Sequence, residues 1–213
     1  MEKSVTFNKA PHPKSTDQPW YYRGYLQHYD DLEKPQSITF RLYDAVPRKV
    51  VENWKIELNI TAGQDSSDPR CVELRRRIAK YEDAGYGECW LKCETIAGIV
   101  EGALHYFDNN RYQLIAWCIM PNHVHVLFGR QNGYHLKAIQ HSWKSFTAKR
   151  INEVLIRSGN VWDTESYDRF VRNETHLQNV IAYIENNPVT AGLANAPWKW
   201  TYSSARHRRE LTG

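Results

Sequence analysis

The chain has 213 residues, 41% of them hydrophobic, which fits one large domain, or one domain with an extension, and excludes wholesale disorder. The net charge of +4 is mild but unevenly spread: residues 130–213 hold 12 Lys and Arg against 7 Asp and Glu, while residues 1–129 hold 16 against 17. A basic C-terminal part suits a polyanionic partner, although a solvated basic surface has the same composition.

Residues 1–19 are polar, with scattered Pro and Lys, and read as a loose arm. Residues 20–29 are dense in aromatics around Arg23 and His28, either a strip for stacking bases or an arm against the core. Ser37–Leu42 alternates and is rich in β-formers, so a strand is predicted. Pro47 opens a helix, and Asp68-Pro69 starts another that includes Arg75-Arg76-Arg77. Ile96, Ile99, Val100, Ala103, Leu104 and Phe107 form a helical stripe over residues 92–107. Tyr112–Ile119 reads as a buried strand. Met120-Pro121-Asn122 breaks it, and His123–Phe128 forms a second strand, close enough to be its antiparallel neighbour.

Residues 135–157 are predicted as a long helix with Leu136, Ile139, Trp143 and Phe146 facing the core. Lys137, His141 and Lys144 lie on a neighbouring face, and Lys149 follows. Val161–Asn173 reads as a loop. The last helix is predicted to begin near Thr175, where Thr175 and Gln178 fit a capping box, and to end at Pro188. No stretch approaches the roughly 20 apolar residues of a membrane helix, and no N-terminal run resembles a signal peptide. A reducing, cytoplasmic setting is therefore expected, with Cys71, Cys89, Cys93 and Cys118 as thiols. Cys89 and Cys93 have the spacing of a zinc half-site, but no second pair completes it.

Two features carry chemistry. Side chains alternate along a strand, so His123 and His125 project from one face. Two imidazoles side by side are half of a divalent metal site, and a pair on a strand otherwise made of Val, Leu and Phe needs partners for its ring nitrogens. On the final helix, Tyr183 and Asn187 are four apart, about 40° round the helix, beside a stripe of Leu177, Val180, Ile181 and Ile184. Taken alone, that pair also reads as a core-edge aromatic and a cap before proline.

Three blocks occur in order: Met120-Pro121-Asn122-His123-Val124-His125-Val126-Leu127-Phe128, then Ser142-Trp143-Lys144-Ser145-Phe146-Thr147-Ala148-Lys149, then Tyr183-Ile184-Glu185-Asn186-Asn187-Pro188-Val189-Thr190-Ala191-Gly192-Leu193. Together they resemble the REP-associated tyrosine transposases of the single-tyrosine HUH group, in which U is a hydrophobic residue. The resemblance runs over roughly residues 20–206. It takes in Arg23-Gly24-Tyr25-Leu26, Phe40-Arg41-Leu42, Trp200 and Ser203-Ser204.

The resemblance implies an α+β, ferredoxin-like antiparallel sheet with flanking helices and the HUH motif on a central strand. It implies a catalytic domain over 34–206, between an extension at 1–33 and a tail at 207–213. It also implies a divalent cation, Mg²⁺ or Mn²⁺, on His123, His125 and Asn187, with Tyr183 as the nucleophile that forms a 5′-phosphotyrosine. The expected partner is single-stranded or hairpin DNA with REP-like palindromes, and the expected assembly a monomer or homodimer. Arg23, Lys137, His141, Lys144 and Lys149 are the candidate DNA contacts. The alternatives are a non-catalytic DNA-binding regulator on the same fold and a phosphohydrolase that uses water instead of Tyr183.

Overall fold

The computed structural model describes residues 20–23, 26–29, 34–61 and 63–212. A short antiparallel pair comes first, β1 (Trp20–Arg23) with β2 (Leu26–Tyr29). Then follow β3 (Gln36–Leu42), α1 (Arg48–Glu57), α2 (Pro69–Asp83), α3 (Glu94–Tyr106), β4 (Tyr112–Ile119) and β5 (His123–Arg130). The chain continues through α4 (Leu136–Val154), β6 (Trp162–Phe170), α5 (Glu174–Thr190) and α6 (Ser204–Thr212). Among the described residues, no helix is long and apolar enough to cross a membrane.

The main sheet has four strands in the order β4-β5-β3-β6, each antiparallel to its neighbour. β3 and β4 therefore run parallel with β5 between them, joined through α3, and α4 joins β5 to β6. That is the ferredoxin-like arrangement that the family resemblance implies. Period-two alternation then sorts the faces of β5. Val124, Val126 and Phe128 enter one core with Ile96, Val100 and Leu104 of α3 and Leu136, Ile139 and Trp143 of α4. His123, His125 and Leu127 point the other way, and Leu127 packs with Leu177 and Ile184 of α5. The two histidines thus lie on the α5 side of an interior strand.

Helices α1 and α2 form a hairpin with its own small core, where Val46 and Val51 meet Leu74 and Ile78. Asp68 caps α2 by accepting from the Arg70 amide, with Pro69 at the first helical position. The open edge of β4 is covered by the C-terminal segment. The Ile119 amide donates to the Tyr202 carbonyl, and the Trp200 indole donates to the Ile119 carbonyl at 2.9 Å.

Four sequence expectations change. Val161–Asn173 is mostly the strand β6 rather than a loop. After Trp162, which enters the core, its inward positions are held by the polar Ser166 and Asp168, so no hydrophobic period marks it; Ser166 is satisfied by donating to Gln140 Oε1. Phe146 is 54% exposed, and the inward residue one position on is Thr147, whose hydroxyl donates to the Trp143 carbonyl and accepts from the Trp162 indole. α5 starts earlier, because Asn173 rather than Thr175 caps it by accepting from the His176 amide. It also runs through Pro188 to Thr190, with the Ala191 amide donating to the Asn187 carbonyl beyond the proline. Ser204–Thr212 form α6.

Candidate functional site

The site begins with register. Thr39 pairs across from His125 and Arg41 from His123, so β3 lines the same face as the histidines. Both imidazoles are buried, at 1% and 3% exposure. Their Nε2 atoms face each other at 3.0 Å.

The outer nitrogens are held as well. His123 Nδ1 lies 2.7 Å from Asn122 Oδ1. The Asn122 amide nitrogen donates to the Tyr86 carbonyl at 2.9 Å, so Oδ1 is left as acceptor and His123 Nδ1 must carry the proton. His123 Nε2 therefore presents a lone pair. His125 Nδ1 lies 2.8 Å from the Thr39 hydroxyl, which can accept or donate. When Thr39 accepts, His125 Nε2 presents a lone pair too, and both converge on one point.

Such a pair suits a cation. Ligands about 2.1 Å from an octahedral ion sit about 3.0 Å apart at adjacent positions, the spacing observed here. The imidazoles must also be neutral. Burial holds His123 well below its ordinary value, with His125 and Arg41 adding to the effect, and burial lowers His125 to about 4. Asn122 and Thr39 are the outer partners that fix metal-binding imidazoles. The structure thus fits a divalent ion on His123 and His125.

Tyr183 and Asn187 come from α5. The Tyr183 ring meets His125 edge to face, with centroids 5.7 Å apart. Its side chain remains accessible, with the residue 56% exposed. Burial against its neighbours raises the phenol, the carboxylates of Asp83 and Glu82 add to this, and the Asn187 amide opposes it. Asn187 is 3% exposed. Its amide nitrogen donates to the Tyr183 carbonyl at 2.9 Å, leaving Oδ1 as the amide atom that can serve as an oxygen ligand.

Sequence reasoning missed the acidic side of the site. Asp83, the last residue of α2, places Oδ1 3.8 Å from His123 Nε2. Beside it, Arg41 bridges Glu82 at 3.0 Å and Asp163 at 2.8 Å. Burial raises the Glu82 carboxyl to about 7 against the pull of Arg41. Only the alternation of β3, which puts Thr39 and Arg41 on the histidine face, was available as a signal. The loop after α2 also carries Tyr86, and Gly87 follows at φ +86°, where a Cβ would come within 2.9 Å of Asp44 Oδ2.

The expected DNA contacts are not brought to the histidines. Lys137, His141 and Lys149 are exposed on α4, which covers the opposite face of the sheet. Lys144 donates to the Asp163 carbonyl at 2.9 Å, tying α4 to β6. The Arg23 side chain lies outside the described residues. A different basic surface lies nearer Tyr183: a cleft at the start of α5 lined by Arg169, Arg172, Asn173, Thr175, His176 and Asn179.

Two predictions arise here. Asn122→Ala frees the His123 ring and strands the Tyr86 carbonyl. It should weaken metal binding by about 10- to 100-fold, measured by Mn²⁺ titration; an unchanged affinity would remove Asn122 from the shell. In the metal-free protein, His125 has a folded value of about 4, below the ordinary 6.5. The unfolded chain therefore binds that proton first. The stability from neutral His125 is present above pH 6.5 and is lost as pH falls toward 4, about 3 kcal/mol in all. Glu82 acts in the opposite sense, being raised from 4.5 to about 7, so its share is complete below pH 4.5 and is lost as pH rises through 7. NMR of the ring protons separates the two: His125 should titrate near pH 4, and a midpoint near 6.5 would contradict its burial.

Known proteins resemble this chain in part. The family model described as "Transposase IS200 like" matches residues 92–187. A Haemophilus influenzae protein assigned as a REP-associated tyrosine transposase is 26% identical over 103 residues, covering 44% of this chain and 58% of the relative. The chain thus aligns with little more than half the length of that curated relative. Among solved structures, a REP-associated tyrosine transposase bound to a REP hairpin superposes with a TM-score of 0.51 at 14% identity. That match covers 88% of this chain and 82% of the other, and at this identity it speaks for the fold.

Proposed function

We propose that this chain nicks and rejoins single-stranded DNA at hairpin-forming sites, a reading supported by the match of residues 92–187 to the family model described as "Transposase IS200 like". The observation that carries this reading is the convergence of His123 Nε2 and His125 Nε2, 3.0 Å apart, with the Tyr183 ring beside His125. His123, His125 and Asn187 would hold the divalent ion. When bound, that ion would neutralise a non-bridging phosphate oxygen and orient the phosphorus for in-line attack.

The remaining chemistry falls to Tyr183. Its phenol oxygen attacks phosphorus, a Tyr–O–P bond forms, and the bond from phosphorus to the 3′ oxygen of the preceding nucleotide breaks. The phenol gives up its proton and the 3′ oxygen gains one. The product is a 5′-phosphotyrosine and a free 3′-hydroxyl. One phosphodiester has been exchanged for another, so a 3′-hydroxyl can reverse the step without ATP. A phenol raised above its usual range is protonated at neutral pH, so attack requires an acceptor for its proton. Tyr183 meets His125 of its own chain, which supports action in cis.

Arg169 and Arg172 are suited to phosphates of a strand leading to Tyr183, which lies seven residues, about 10 Å, along α5 from His176. Lys137, His141 and Lys149 would serve only DNA running along the outer face of α4.

The test is incubation with single-stranded hairpin oligonucleotides labelled at the 3′ end, in Mn²⁺, followed by a denaturing gel. The expected result is label migrating with the protein. Strand scission with all label on free DNA would indicate hydrolysis by water. Retention on native gels with no scission would indicate a binding regulator.

A further inference from the structure

We infer that Asp83 supplies a carboxylate oxygen to the divalent ion held by His123 and His125, so that the metal shell draws on the α1–α2 hairpin as well as on β5 and α5. The inference rests on the proposed metal-dependent reading and adds a residue outside the family match at 92–187.

Asp83 Oδ1 lies 3.8 Å from His123 Nε2, the nitrogen left with a lone pair by the Asn122 contact. The carboxylate is 27% exposed. Among the described residues, no Lys or Arg pairs with it, and nearby Arg41 is engaged by Glu82 and Asp163. Its electrostatic position is otherwise unfavourable. It lies at the C-terminus of α2, where the helix dipole already disfavours negative charge. It faces neutral imidazoles, beside the buried carboxyl of Glu82. A cation between Asp83 and the two Nε2 atoms relieves all three conditions, and hard divalent ions favour carboxylate oxygen.

The hairpin is built to hold Asp83 there. The Arg41 bridge to Glu82 and Asp163 pins the end of α2 to β3 and to the start of β6. Gly85, at φ +72°, ends the helix two residues later. The 3.8 Å separation exceeds the 3.0 Å between the imidazoles, and no three His, Cys, Asp or Glu side chains among the described residues form a closed site. The carboxylate therefore swings inward as the ion arrives, by rotation of a partly exposed side chain rather than by movement of the helix.

The experiment is calorimetric titration of Mn²⁺, without DNA, into wild type, Asp83→Asn and His125→Ala, with a metal-free melting curve for each. Asp83→Asn keeps the shape of the side chain and removes its charge. Its affinity should fall about tenfold or more while its metal-free melting temperature is no lower than that of wild type, whereas His125→Ala abolishes binding. Asp83→Asn within twofold of wild type, beside a silent His125→Ala, would overturn the role of Asp83 and leave the histidine site standing. No binding by wild type would overturn both.

Discussion

Tyr183→Phe should bind hairpin DNA as wild type does and form no covalent adduct. The substitution removes one oxygen from an exposed side chain and leaves the ring edge-on to His125. Its cost in stability should stay within about 0.5 kcal/mol. Its chemical effect should be far larger, because no other nucleophile replaces a phenol oxygen at that position. Cleavage should fall by at least about a thousandfold. Native gels measure binding, denaturing gels measure the adduct, and the gap between them isolates the step. Retained adduct formation would assign the nucleophile to another residue.

Removal of the metal should have the second largest effect. EDTA should stop cleavage, and Mn²⁺ in excess should restore it. His125→Ala should lose cleavage to a similar degree without rescue, because it deletes one of the two converging nitrogens and leaves the Thr39 hydroxyl without its imidazole. A metal-ion ligand contributes charge stabilisation worth several kcal/mol at the transition state, so the loss should reach at least about a hundredfold. Cleavage that persists in EDTA would exclude the metal from the mechanism.

The two predictions depend on different elements, and these were unequally legible in the sequence. His123 and His125 were placed on one face by simple alternation, and their neighbours Val124, Val126 and Phe128 marked the opposite face as core. α5 could be seen from Leu177 and Ile184, although Pro188 suggested too early an end. What pairing alone could not give was depth of burial, the Asn122 and Thr39 contacts, or the reach of Tyr183 to His125. Those depend on which strands become neighbours, and β3 and β5 are separated in the chain by three helices and a strand. β6 was hidden because Ser166 and Asp168 take inward positions usually held by apolar residues. Asp83 was hidden more deeply, since nothing local to the end of α2 indicates that the hairpin folds back over the histidines. The lysines of α4 show a different limit. Charge on a helix face was legible, but which side of the sheet that helix covers was not.

The most direct measurement is peptide mapping of the covalent species formed by wild type with a hairpin oligonucleotide and Mn²⁺. Nucleotide mass should appear on the α5 peptide, at Tyr183, joined through a 5′-phosphate. Cleaved DNA with no modified peptide, or modification at any other residue, would contradict the central claim.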